Sequence, residues 1–139
     1  MEIKKCRDFS VMRLEKDEEI ITSLKNAAKN NPLRSAFFFG LGVGRDLVLG
    51  FFDAHKQKYT KKAFSGEYEF TSFSGNISRF KKEIAVHCHV TITDSNFNAC
   101  GGHLFHASVP VTMEIILFPV RPKLQRRKDS ATGLNLLDL

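Results

Sequence analysis

The stretch Ile84-Ala85-Val86-His87-Cys88-His89-Val90-Thr91-Ile92-Thr93, answered by Gly101-Gly102-His103-Leu104, decides how this chain is read. Ten residues dominated by apolar and β-branched types predict a strand. Alternate side chains of a strand share a face, so His87 and His89 point the same way, with Cα atoms about 6.6 Å apart. Two imidazoles at that spacing can converge on one ion through metal–nitrogen bonds of about 2.0–2.1 Å. Between the two stretches lies Asp94-Ser95-Asn96-Phe97-Asn98, whose turn-forming residues predict a chain reversal. That reversal brings Gly101-Gly102-His103 back beside the first strand, with the glycines allowing close backbone approach. A His-x-His pair alone is more often a hydrogen-bonded or surface pair than a metal site. The third histidine on a partner strand makes an open, three-histidine zinc site the competing reading. Cys88 faces the other way and is expected as a buried thiol. His55 and His106 are not expected as ligands, since His106 is three residues past His103 and so on the opposite face.

Outward from this hairpin, the chain reads as strands and one helix. Phe9-Ser10-Val11-Met12-Arg13-Leu14 alternates apolar and polar residues, as a half-buried first strand does. Asp17 is the expected helix N-cap, with Glu18 and Glu19 in the first turn. Ile20, Ile21, Leu24, Ala27 and Ala28 make one apolar helical face, and Asn30-Asn31-Pro32 is expected to stop it. A strand is expected over 35–43, ending in a tight turn at Gly40-Leu41-Gly42-Val43-Gly44, with another strand over 47–53. The glycine run lacks the lysine and the following helix of a phosphate-binding loop. In 64–77, Tyr68, Phe70 and Ser72 are expected on one face, with Glu67, Glu69, Thr71 and Phe73 on the other. A last strand is expected over 107–120, placing Val109, Val111, Met113, Ile115 and Leu117 together and Glu114 opposite them. One helix and six or more strands predict an α+β domain on antiparallel sheet. A single domain is expected over 1–125, followed over 126–139 by a basic, leucine-containing tail.

Composition narrows the function classes. The chain has 139 residues, 42% of them hydrophobic and 26% charged, which fits one soluble globular domain. Thirteen phenylalanines and no tryptophan point to a phenylalanine-rich core. Three cysteines without CxxC spacing argue against a disulfide framework and for a reducing cytoplasm. The charged start Met1-Glu2-Ile3-Lys4-Lys5 shows no signal peptide, and no apolar run is long enough to span a bilayer, so no membrane role is expected. A net charge of +6 permits attraction to nucleic acid without requiring it.

Several marks, taken in order, resemble the plant-and-prokaryote-conserved (PPC) domain family along nearly the whole chain. They are Leu14-Glu15-Lys16-Asp17-Glu18-Glu19-Ile20, Gly42-Val43-Gly44, and Gly66-Glu67-Tyr68-Glu69-Phe70 leading to Ser74-Gly75-Asn76-Ile77. His87-x-His89, Gly101-Gly102-His103-Leu104 and Thr112-Met113-Glu114-Ile115 follow. The resemblance implies a compact α+β domain assembling as a homotrimer, with His87, His89 and His103 associated with a metal, zinc being favoured. Its architecture is similar to that of acetolactate decarboxylase. Plant relatives carry an Arg-Gly-Arg-Pro AT-hook for DNA; the nearest segment here, Val120-Arg121-Pro122-Lys123, lacks the Arg-Gly.

Two function classes follow. One is a trimeric metal-binding module with weak, sequence-independent affinity for DNA, or with a protein partner. The tail cations Lys123, Arg126, Arg127 and Lys128 are its candidate nucleic-acid contacts. The other is a zinc-dependent lyase or hydrolase acting on a hydroxy- or keto-acid, with Glu69 or Glu114 as the candidate proton carrier.

Overall fold

The structure, a computed structural model, describes residues 1–29, 32–121 and 123–139. Nine strands form one sheet: β1 (Glu2–Lys5), β2 (Ser10–Leu14), β3 (Ala36–Asp53), β4 (Lys58–Phe80), β5 (Glu83–Thr93), β6 (Ala99–Ser108), β7 (Met113–Pro119), β8 (Gln125–Lys128) and β9 (Asn135–Asp138). Among the described residues there is one α-helix, α1 (Ile20–Lys29), and a 3-10 turn at Pro32–Arg34. The molecule is therefore predominantly β, more so than the expected α+β balance. The strand order is β1-β2-β7-β3-β6-β5-β4-β8-β9, and β3 also pairs with β4. That extra pairing closes β3, β6, β5 and β4 into a ring, which removes the edges of the central strands.

The expected turn at Gly40–Gly44 is absent, because the chain continues through it as one 18-residue strand. The glycines act as bulge residues instead, with register shifts between Gly40 and Gly42 and between Arg45 and Leu47. Gly42 has φ +149°, and a Cβ there would lie 2.5 Å from the Thr112 carbonyl oxygen. Glycine thus lets β3 bend sharply against β7 and serve two neighbours, pairing with β7 through Gly42 and with β6 from Arg45 onward.

A bulge in β4 itself corrects the expected faces of that strand. The register shifts between Phe70 and Ser72, so Phe70 and Phe73, three residues apart, are both buried. Phe73 sits in the core rather than on the expected face beside Glu69. In the last expected strand, Met113, Ile115 and Leu117 are buried, but Val111 is 63% exposed in the connection before β7.

Helix α1 lays Ile20, Leu24, Ala27 and Ala28 on the inner face of the sheet, across β5 and β6. Its cap is Glu19 rather than Asp17. The Glu19 carboxylate accepts the backbone N–H of Ile21 at 3.1 Å and of Thr22 at 2.7 Å. Asp17 instead takes a left-handed conformation, φ 69°, and pairs with Arg45. The strand-like pairing of Glu19 with Ser108 ties the start of the helix to the end of β6, so the first free amide groups fall after Glu19. Asn30 and Asn31, expected to stop the helix, and Pro122 lie outside the described residues.

The C-terminal tail is a folded hairpin. β8 pairs in parallel with β4 at Arg79–Gln125 and Phe80–Arg126, and β9 returns antiparallel to β8. No helix among the described residues is long and apolar enough to cross a membrane.

Candidate metal centre

The β5–β6 turn sets the site. The Asp94 carboxylate accepts the N–H groups of Asn96 and Asn98, each at 2.9 Å, and the Asn98 side-chain amide at 3.1 Å. These bonds hold its carboxyl below the ordinary range, with the Asn98 backbone amide as the leading cause. The turn fixes Thr93 opposite Ala99, and from there His89 falls directly opposite His103. Residues paired across antiparallel strands share a face. His87, two residues from His89, joins them on the side away from α1. Cys88, Val90, Ile92 and Leu104 occupy the buried side. The Cys88 thiol is pushed up to about 12 by burial, with Glu19 adding to the shift.

One ring nitrogen from each of His87, His89 and His103 lies within 4.8 Å of the others. The ring centroids are 5.0–5.5 Å apart. Nitrogens in a tetrahedral zinc site are separated by about 3.3 Å, so modest side-chain rotation closes the set. His103 is the least exposed to proton competition: burial, then the charges of His87, His89, Lys61 and Arg126, push it down to about 4. Burial also lowers His87, followed by Arg126 and His89. Both rings are therefore neutral near pH 7, the form that binds metal. The buried Nδ1 of His103 has no hydrogen-bond partner. Such an atom is costly to leave alone, and a bound ion, or a group carried with one, would meet its need. The residues fit a metal.

Aromatic rings back the site. Tyr59, tilted, and Phe105, edge-on, pack against His103 at 5.1 Å and 4.6 Å between centroids, and Lys61 Nζ sits 3.9 Å over the Phe105 ring. Gly50, opposite His103, is what admits them, since a Cβ there would meet Phe105 at 2.4 Å and Tyr59 at 3.0 Å. A cleft of about 220 Å³ opens beside His87 and His103, lined also by Tyr59, Val86, Arg126, Leu134 and Leu136. A second cleft, of about 210 Å³, opens beside His89 along Ser72, Ser74 and Gly102.

The other expected site residues are placed as follows. Glu69 is exposed and opposite Thr93, four residues or about 13 Å along β5 from His89. Glu114 is exposed on β7, opposite Leu41 and Arg13, with β3 and β6 between it and β5. Neither joins the histidines within one protomer. His55 lies in the exposed turn after β3, its N–H bonded to Asp53, and His106 Nδ1 faces Glu19 at 3.6 Å.

Lys123, Arg127 and Lys128 are exposed, Arg127 being paired with Asp138 at 3.4 Å. Arg126 is turned inward: Nε donates to Ser78 Oγ at 2.7 Å and an Nη donates to Asn76 Oδ1 at 2.8 Å. Its place beside the histidines is not visible in sequence, where it is one of several tail cations. A cluster that sequence reading missed is Lys25, Lys29, Arg34, Arg79 and Lys82 around a cavity of about 340 Å³, with Glu83 the single acidic residue. The i, i+4 spacing of Lys25 and Lys29 was its one signal.

A family model described as the Plants and Prokaryotes Conserved (PCC) domain matches residues 1–121. Three solved structures are similar over 99% of this chain. One is a candidate DNA-binding protein from Bacteroides thetaiotaomicron, with 26% identity, TM-score 0.93 and 96% of that chain covered. Another is a plant- and prokaryote-conserved protein from Pyrococcus horikoshii, with 27% identity, TM-score 0.87 and 94% covered. The third is a metal-containing protein from Archaeoglobus fulgidus, with 27% identity, TM-score 0.85 and 97% covered. No curated protein matches the sequence.

The lowered His103 makes the metal-free protein sensitive to acid. Unfolded histidines titrate near 6.5 and folded His103 near 4. Between these values the unfolded state binds more protons, so stability falls as pH drops from about 6.5 toward 4 and is complete above that window. Discounted for the ring's partial exposure, the loss is about 1–2 kcal/mol. Urea unfolding of chelator-treated protein at several pH values should show this slope, reduced in His103→Phe. Identical slopes in both proteins would refute it.

Proposed function

The chain belongs to the Plants and Prokaryotes Conserved domain family, and from that footing we propose that it is a cytoplasmic, homotrimeric zinc-binding module with weak, sequence-independent affinity for DNA. The observation that carries the metal reading is the three-histidine cluster with its unpartnered, buried His103 Nδ1. Imidazole ligands favour zinc over magnesium or calcium. Bound there, zinc supplies Lewis acidity at an open coordination position, its charge undiminished by three neutral ligands. The protein's own residues do the rest: Asp94 fixes the register, Gly50 admits the aromatic backing, and burial keeps two of the rings neutral.

Assembly is argued from the sheet's outer face. Phe37, Phe39, Leu41 and Phe118 are 40–60% exposed, and Phe39 stacks on Phe118 at 5.8 Å. The register places Phe37 and Phe39 two strands from His87 and His89 on the same face, with Phe118 opposite Phe37 on β7. A contiguous apolar band of this kind calls for cover, which a closed symmetric oligomer supplies. The number three comes from the family resemblance.

The cleft beside His87 favours a second reading, a zinc-dependent lyase or hydrolase on a hydroxy- or keto-acid, in keeping with a likeness to acetolactate decarboxylase. The distance of Glu69 and Glu114 from the histidines makes the module the preferred reading.

Metal analysis of protein never exposed to chelator should find about one zinc per chain, lost in His89→Ala and kept in His55→Ala. Equal zinc in all three would remove His89 from the site. Light scattering should give about three times the 15.7 kDa chain mass, and Phe39→Glu should shift it toward one chain; a monomeric wild type contradicts the assembly. For DNA, the Lys25–Lys82 cluster is the denser source of phosphate contacts. Lys25→Gln, Lys29→Gln and Lys82→Gln together should therefore weaken low-salt binding more than the charge-matched Lys123→Gln, Arg127→Gln and Lys128→Gln. Binding should also collapse between about 50 and 200 mM salt. A hundredfold preference for one duplex would overturn the sequence-independent reading.

A further inference from the structure

The charges around the histidines do not balance. With a divalent ion on three neutral imidazoles, the site would hold two positive charges; Arg126 lines the cleft beside His87 and His103, and Lys61 Nζ sits 3.9 Å over the Phe105 ring that packs on His103, adding two more. None of the residues lining either flanking cleft is acidic. Clustered like charge in a partly buried site is unfavourable unless an anion joins it.

Arg126 is held for such a role. Its guanidinium is half-buried and fixed on three sides by Ser78, Asn76 and the Asn135 carbonyl. Five N–H donors make up the fork; three are used, and the side chain still borders the cleft. Guanidinium is the side chain suited to carboxylate recognition by paired donors. Apart from Asn135, whose carbonyl accepts from Arg126, the rest of the lining is mainly apolar: Ala85, Val86, Leu134, Leu136 and the Tyr59 ring. The space, about 220 Å³, equals roughly seven waters at about 30 Å³ each. Arg126, Leu134 and Leu136 all come from the C-terminal hairpin, beyond the 1–121 match to the family model.

We propose that this cleft binds a small organic carboxylate with a short apolar body, its charge shared between the metal ion and Arg126 and its body against Val86, Leu134 and Leu136. The C-terminal hairpin is then the wall that selects the ligand. This rests on the three-histidine metal reading.

Cobalt(II)-loaded full-length protein provides the test, since its visible spectrum reports a change at the metal. Titration with isovalerate should shift the spectrum saturably; isovaleramide, uncharged and of the same shape, should not, and inorganic phosphate should bind more weakly. Arg126→Gln should weaken isovalerate by about tenfold or more, the loss expected for a hydrogen-bonded charge, with cobalt content kept. Arg126 also anchors the hairpin, so Leu136→Glu gives an independent arm: it repels an anion without touching those anchors, and should weaken isovalerate similarly. Unchanged affinity in both variants, or equal binding of the amide, would overturn the carboxylate site. Tighter binding of phosphate would overturn the organic assignment. A wild type that takes up no cobalt would instead sink the metal reading, and this inference with it.

Discussion

The site depends on the register between β5 and β6, which the Asp94 carboxylate sets at the turn and the core holds along the strands. Asp94 gathers three donors from Asn96 and Asn98 into a five-residue turn, and the pairing that starts at Thr93–Ala99 reaches His89–His103 four steps later. A slip of one residue would turn every side chain of β6 to the other face. His103 would then enter the core, and Leu104 would face solvent beside His89. The core guards against this as well, because Val90, Ile92 and Leu104 are all buried beneath α1. Core and site thus specify the same register from opposite faces of the same strands.

The two faces differ in electrostatic character. Toward α1, burial is apolar, and Cys88 stays a neutral thiol. On the outer face, burial falls on rings that can lose a charge. His103 is forced toward its neutral form by desolvation and by surrounding cations, a combination that disfavours a proton. A metal ion would meet the same repulsion from Arg126 and Lys61, but three imidazole nitrogens could hold it where a single proton has one. The aromatic backing from Tyr59 and Phe105 limits water around His103, so the ring depends on whatever polar partner binds there.

What the sequence disclosed followed periodicity and turn chemistry. The His-x-His strand, the Asp94–Asn98 reversal and the apolar face of α1 are local patterns, and the structure places them as read. The errors fall where backbone irregularity overrides alternation. Gly40–Gly44 reads as a turn because glycine marks both turns and bulges, and only the partner strands β4, β6 and β7 decide between them. Phe70 and Phe73 cannot share a face in a regular strand, and nothing local announces the bulge that lets them. Glu19 displaced Asp17 as the cap because a long-range pairing with Ser108 moved the helix start. Arg126 was illegible for a related reason: its meaning comes from Asn76 and Ser78, some fifty residues away.

The arrangement of the faces also bears on how the proposed activities coexist. The phenylalanine band and the histidines share the outer face, so an assembly through Phe37, Phe39 and Phe118 places each metal cleft at the rim of an interface. Lys25 and Lys29 lie on α1, across the sheet from that band, with Arg34, Arg79 and Lys82 completing their cavity. Covering the outer face leaves this basic cavity on the periphery, once per copy. Polyanion attraction and metal chemistry then use separate surfaces. Neutralising the cavity should leave the histidines untouched, because no residue is common to its lining and to the cleft beside His87. Such separation would let a domain of 139 residues accommodate both proposed binding functions without either distorting the strand register that brings the three histidines together.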